Sequence, residues 1–377
     1  MLKYLKKSEG NMTNNIYEKY AKLLINYSLK LKKKDKLLIN TSYLAEPLIQ
    51  EVYKQALQIG AYTEISLYFD LQQKIFYDNA NIDQLNYVPI FYEYAIKNFD
   101  SLLIVKAPFN VKELENIDPE KKRIFAEAQK DVKKTFLSRS AKDQLNWTIC
   151  LFPTNSSAQE SKMALTEYQD FVFSACYLNK NNPIKEWEKI SNNQEKIVKY
   201  LNNKKTIKLK GNDIDLAYSI KGRKWINSDG HKNMPSGEIF TTPVENSING
   251  KIRFSYPGIF MGQEIEDISL EIKNGEVVLW KARVGQKLLD KIFEIPGAKF
   301  FGEAAIGTNY QIKKFTKNML FDEKIGGTIH MALGSAFPET GGKNECAIHW
   351  DLVADMKTQS EIYADNELFY KNGKFII

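Results

Sequence analysis

The sequence predicts two domains of different class. The first is an α/β domain with a mostly parallel, doubly wound sheet. The second is an α+β domain rich in antiparallel strands. Short apolar runs alternate with helical spacings over the first half, which is the pattern of a parallel sheet with crossover helices. From Thr206 onward helices become rare, and two Asn-Gly pairs, Asn249-Gly250 and Asn274-Gly275, sit between strand-like runs. Asn-Gly is the residue pair that a tight type I′ hairpin turn favours. The boundary is placed near residue 195, giving domains 12–195 and 196–377 after a flexible extension over residues 1–11.

Taken in order, apolar positions at Ile16, Tyr20, Leu23, Leu24 and Tyr27 give helical spacing within 13–33. Lys36 to Asn40 reads as a buried strand. Leu44 to Ile59 reads as an amphipathic helix stopped by Gly60. Tyr62 to Phe69 is a second strand, Phe91 to Asn98 a helix, Ser101 to Ala107 a third strand and Pro119 to Leu137 a helix. Trp147 to Phe152 is a fourth strand, followed by a helix over Ser157 to Cys176. No G-x-G-x-x-G and no P-loop occurs in this half, so a nucleotide role has no motif behind it. A polar helical stretch over Ser191 to Asn203 leads into the strand-rich half, where Gln286 to Phe293 is one further helix.

Composition narrows the function classes. With 43% hydrophobic and 26% charged residues in 377, the chain reads as an ordinary soluble protein. No apolar run approaches the ~18 residues a membrane span needs. The N-terminus MLKYLKKSEGNM is charged and lacks the apolar core of a secretion signal, and Met12 is an alternative start. Cys150, Cys176 and Cys346 are odd in number and far apart, which points to a reducing, cytoplasmic setting without a disulfide framework. The net charge of +7 suggests nucleic acid, but arginine occurs only at 123, 139, 223, 253 and 283, and the remaining basic residues are lysine. Nucleic-acid surfaces lean on arginine for bidentate contacts, so neither nucleic acid nor membrane is expected as a partner.

The chemistry concentrates between Gly326 and Met356. Two of the three histidines, His330 and His349, lie there. His349 precedes Asp351 in the apolar run Ala347 to Val353, and alternation along a strand puts both side chains on one face, about 7 Å apart at Cα. Such a pair serves either as a hydrogen-bonded core pair or as two ligands of a shared cation. Two features favour the cation. His330 sits in a similar run, Thr328 to Leu333, ended by Gly334. The intervening Ser335 to Asn344 is rich in Gly, Pro, Ser, Thr and Asn, which suits a loop returning the chain beside the first strand. Two histidines and one aspartate do not fill a dinuclear site, and three acids stand out as further candidates: Glu238 in a Pro/Gly turn feeding a strand, Glu303 isolated in an apolar segment, and Glu323 just before the His330 strand. Each has an alternative reading as a turn-capping or salt-bridged carboxylate.

Four ordered motifs, NMPSGEIFTTP, FFGEAAIG, LFDEKIGGTIHMALGS and GGKNECAIHWDLV, together resemble the M29 family of metallo-aminopeptidases, the aminopeptidase T and aminopeptidase S type. The resemblance extends through DKLLINTSYLAEPLIQEVYKQALQIGAY and covers nearly the whole chain from Met12. It implies two divalent metal ions (zinc, cobalt, manganese or magnesium) held by Glu238, Glu303, His330, His349 and Asp351, with Glu303 bridging. Glu323 matches a further acidic position near the metals. It also implies a cytoplasmic homodimer that releases N-terminal residues from peptides with a free N-terminus. Some members carry a tyrosine seven residues after the first histidine, where this chain has Phe337, so that hydroxyl is missing here or supplied elsewhere. The general base is left among Glu238, Glu339 and Glu345. Two alternatives remain: another metal-dependent amidohydrolase or dipeptidase using the same ligands, and a non-enzymatic α/β binding module whose histidines are core residues.

Overall fold

The computed structural model describes residues 16–377, and the expected extension over 1–11 and the alternative start at Met12 lie outside them. The strands in chain order begin with β1 (Lys36–Ser42), β2 (Tyr62–Tyr68), β3 (Ser101–Lys106), β4 (Asn146–Leu151), β5 (Thr206–Gly211), β6 (Ile214–Ser219) and β7 (Ile226–Ser228). Then come β8 (Asn233–Met234), β9 (Glu238–Thr241), β10 (Asn249–Phe254), β11 (Gly258–Phe260), β12 (Gln263–Ile265), β13 (Ile268–Lys273) and β14 (Glu276–Lys281). The last are β15 (Phe301–Gly307), β16 (Thr328–Gly334), β17 (His349–Asp355), β18 (Glu361–Ala364), β19 (Glu367–Lys371) and β20 (Lys374–Phe375). The chain forms two compact units. One runs to Lys185 and includes Gly230–Pro235. The other comprises Glu186–Asp229 and Ser236–Ile377.

The first unit carries a parallel sheet in the order β2-β1-β3-β4-β8. Helices connect its strands, as the alternation in the sequence predicts. The helix Glu46–Ile59 stops where Gly60 adopts φ 86°, a left-handed cap that glycine takes without steric cost. Three expectations need correction. The helix expected over Pro119 to Leu137 is two helices, Pro119–Ala128 and Lys130–Ala141, broken at Gln129. The helix expected over Ser157 to Cys176 is likewise two, Asn155–Glu160 and Leu165–Ala175. The helix Gln72–Asn79 was not expected at all. None of its residues is buried, so no apolar stripe marks it in the sequence.

The second unit is antiparallel. An eight-stranded sheet, β14-β13-β10-β6-β5-β18-β19-β20, faces a five-stranded sheet, β17-β16-β15-β9-β7. One core joins them: Leu209, Leu216, Ile252 and Leu270 from the larger sheet pack with Ile306, Ile329, Met331 and Leu352 from the smaller. The smaller sheet therefore turns one alternating face inward and leaves the other for polar side chains.

The two Asn-Gly pairs have different roles. Asn274-Gly275 is the two-residue β13–β14 hairpin turn, with φ 51° and 85°, both positive as type I′ requires. Asn249-Gly250 is not a turn. It opens β10, where Gly250 pairs with both Ile272 and Leu216. Glycine is needed there because a β-carbon would lie 2.0 Å from the Asp215 carbonyl oxygen. The Asn249 side chain instead accepts a hydrogen bond from the Asn274 backbone N–H. A β-carbon at Gly275 would lie 1.7 Å from the Glu245 carbonyl oxygen. Gly275→Ala should therefore destabilise the protein by about 2 kcal/mol or more. A urea unfolding midpoint equal to that of the parent would refute this.

Candidate metal centre

Register brings the candidate residues together. In the β16–β17 ladder His330 pairs with Val353, Ala332 with Asp351 and Gly334 with His349. Directly paired residues share a face, and so do residues two apart along a strand. His330, His349 and Asp351 therefore project from the same side. In β15, Glu303 pairs with Ala332 and Ala305 with His330, after a bulge between Phe301 and Glu303. Gly307 pairs with Glu238 on β9. All five side chains thus leave one face of one sheet. Ala305, Ala332, Gly307 and Gly334 share that face with them, as do Phe240 and Val353. Without the bulge, Phe301 and Glu303 would alternate in step. The extra residue lets Phe301 join the core while Glu303 faces the site.

The distances define a tight cluster. Glu303 reaches both histidines with one oxygen each: Oε2 is 3.0 Å from His349 Nε2 and Oε1 is 3.5 Å from His330 Nε2. Glu238 Oε2 is also 3.5 Å from His330 Nε2, and Asp351 Oδ1 is 3.5 Å from His349 Nε2. His349 is the most open member, with 27% of its side chain exposed. Its Nδ1 lies 2.8 Å from the Ser335 carbonyl oxygen. A carbonyl only accepts, so Nδ1 carries a proton; Nε2 faces the carboxylates, donating to Glu303 in the metal-free protein and offering a lone pair to a cation once its proton leaves. Two sets of three ligand atoms lie within 4.8 Å of one another: Glu303, His349 and Asp351, and Glu323, His330 and Asp351.

Glu238 is held from behind. Its carbonyl accepts from Gln194 Nε2, which also bonds Asn227 Oδ1, while Gln194 Oε1 accepts from Thr308. Glu323 follows the short helix Met319–Asp322 and pairs with Lys324. Lys324 is fully buried, and its Nζ is also 3.5 Å from Glu238 Oε1. The loop after β16 is pinned by the Thr340 and Thr242 hydroxyls, 2.7 Å apart, and by Asn344 bonding the Gly297 and Gly334 carbonyls. It sets the Phe337 ring 4.9 Å from the His349 ring and 5.4 Å from that of Phe240. An apolar wall thus stands beside His349. Of the acids considered as general base, Glu238 is in the cluster, whereas Glu339 and Glu345 are exposed on the loop. Cys346 is free and half-buried, and Cys150 and Cys176 are free and buried.

The donor set fits a cation on three grounds. First, Glu238 Oε2 and Asp351 Oδ1 are buried without hydrogen-bond partners among the described residues, which is costly unless something else satisfies them. Second, the imidazole–carboxylate gaps of 3.5 Å are long for hydrogen bonds. They match the ~3.4 Å that separates tetrahedral ligands each ~2.1 Å from a shared ion. Third, Glu238, Glu303, Glu323 and Asp351 are four carboxylates, and among the described residues that of Lys324 is the one ammonium that forms ion pairs with any of them.

Protonation reflects this crowding of charge. Burial works against a charged imidazole, but donation to the carboxylates and their negative charge outweigh it, raising His330 to about 9 and His349 to about 11. Burial works to raise Glu303 and Asp351, and the imidazoles beside them win, holding both below the usual carboxylate range. Glu323 is pushed up to about 8, chiefly by burial, against the pull of Lys324.

Lys324 and Gln194 escape sequence reasoning. Nothing in the Asp-Glu-Lys triplet marks its lysine as buried, and Gln194 sits in a polar helical stretch. The only local hint for Lys324 is the apolar and glycine-rich sequence on either side.

Over residues 13–375 the chain matches the thermophilic metalloprotease family M29, and it belongs to that family. It is 25% identical over 407 residues to aminopeptidase AmpS of Bacillus subtilis (strain 168), with 94% of this chain and 97% of that one covered. It is 24% identical to aminopeptidase 2 of Geobacillus stearothermophilus, covering 89% of this chain and 91% of that one. Wild-type AmpT from Thermus thermophilus shares the fold, with a TM-score of 0.83 at 22% identity over 96% of this chain and 99% of that one. The two-class architecture expected from the sequence is that of this fold. No helix among the described residues is long and apolar enough to cross a membrane.

Proposed function

We propose that this chain is a metal-dependent aminopeptidase that releases N-terminal amino acids from peptides. In this reading Glu238, Glu303, His330, His349 and Asp351 hold two divalent ions, with Glu323 contributing at the second position. The observation that carries it is Glu303, which meets one histidine with each carboxylate oxygen in a chain of a metalloprotease family. A mixed imidazole and carboxylate set suits zinc, cobalt or manganese, and its oxygens also accept magnesium. Bound divalent ions supply Lewis acidity, bringing the pKa of water toward ~7 and polarising a carbonyl oxygen.

The protein's own groups account for selection and placement. The surplus of carboxylates offers an acceptor for the substrate's α-ammonium, which restricts attack to the chain end. The Ser335 carbonyl fixes the His349 tautomer, and Gln194 fixes the start of the strand bearing Glu238. Phe240 and Phe337 form a dry wall beside His349 that suits an apolar substrate side chain. A cytoplasmic homodimer is part of the same reading, drawn from the family resemblance, and the free cysteines accord with a reducing compartment.

The test is the free amine. Leucyl-p-nitroanilide should be cleaved in the presence of divalent metal, and N-acetyl-leucyl-p-nitroanilide should not. Equal cleavage of both would favour a broader amidohydrolase. Cleavage of neither, by folded protein that carries no stoichiometric metal, would favour a binding module.

A further inference from the structure

Lys324 has no part in the function described above, yet among the described residues it is the one ammonium in contact with the cluster's carboxylates. Its side chain is fully buried, and it contacts Glu238 and Glu323. It cannot withdraw easily. Its carbonyl accepts from the Asn309 N–H, its own N–H donates to the Phe321 carbonyl, and Ile325 bridges to Asn309. The neighbouring Asp322 makes its hydrogen bonds to the Thr316 N–H and hydroxyl through Oδ1. Burying an ammonium is costly unless carboxylates compensate it. Here the compensating carboxylates are ones a metal would also use. The contacts are lopsided. Lys324 makes its ion pairs with Glu238 and Glu323, which lie on the His330 side, whereas Glu303 and Asp351, shared between the two histidines, make none with it.

We propose that Lys324 makes the two metal positions unequal, so that ions load in sequence: first tightly at Glu303, His349 and Asp351, then weakly and exchangeably beside His330. This rests on the dinuclear reading above. At the second position an entering ion shares its carboxylates with a fixed positive charge and is repelled by it. At the first position it meets Glu303 and Asp351, with which Lys324 makes no ion pair, although its charge still reaches Asp351. Lys324 is thus a positioning residue, acting through Glu238 and Glu323 rather than on substrate.

The experiment is a calorimetric titration of chelator-stripped, full-length protein with zinc, using a competing chelator for tight steps. The parent should bind two ions in two resolved steps. Lys324→Met keeps the length of the side chain and removes its charge. It should tighten the second step about tenfold or more and leave the first nearly unchanged. Lys324→Arg should restore the gap, which a merely structural role of the side chain would not predict. Should the Met variant not fold, Lys324→Gln reads the same difference. Two equal steps in the parent, or a second step that Lys324→Met weakens or leaves unchanged, would overturn the proposal. Absence of any zinc binding would overturn the metal-centre reading itself, which is a distinguishable result.

Discussion

His349→Ala should lower metal-dependent hydrolysis of leucyl-p-nitroanilide by about 1,000-fold or more while the protein stays folded. Losing a group that merely orients a ligand typically costs 10–100-fold, so losing a ligand costs more. The imidazole meets both Glu303 and Asp351 through Nε2, so its removal opens one position and unpairs two buried carboxylates. The fold should survive because the His349 side chain is 27% exposed at the start of its strand, and truncation there leaves no sealed cavity. Circular dichroism and a metal-binding isotherm separate the two effects. Native-like spectra with unchanged turnover would remove His349 from the metal centre.

Metal loading should depend steeply on pH, and opposite in sign to the stability of the metal-free protein. In that protein His330 and His349 are raised to about 9 and about 11, above the ~6.5 of an unfolded histidine. A raised folded value means that their contribution to stability is fully present below pH ~6.5 and is lost as pH rises through about 9 and then about 11. Glu303 and Asp351, held low, contribute stability that is lost only as pH falls through their depressed values. A metal needs neutral imidazole nitrogen, so binding expels these protons, and affinity rises up to about tenfold per pH unit for each proton released. Melting temperatures measured across pH 6–9, with and without added zinc, should therefore diverge as pH rises. A gap that narrows with pH would contradict the assignment of both histidines as ligands.

Much of this centre is legible in the sequence because strand alternation is a local rule. H-x-D inside an apolar run places His349 and Asp351 on one face, and the loop-like composition of Ser335 to Asn344 brings His330 back beside them. Glu238 and Glu303 are visible as acids in apolar settings, but a role for them comes only with the family motifs. Their register against His330 depends on pairing between strands distant in sequence and on a bulge before Glu303, neither of which has a local signature. The burial of Lys324 is hidden for the same reason, since its partner Glu238 is far away along the chain. The Asn249-Gly250 pair misleads because glycine is also required wherever strands approach closely, and the sequence does not distinguish that need from a turn. The break at Gln129 is silent because an αR residue there continues the helical spacing with only a local change of direction.

The most direct single measurement is leucine release from leucyl-p-nitroanilide by chelator-stripped protein, first without metal and then with zinc, cobalt, manganese or magnesium restored. A dinuclear aminopeptidase centre predicts silence after stripping and recovery that saturates near two ions per chain. Release that survives complete stripping, or stays absent with every ion in folded protein, would contradict it.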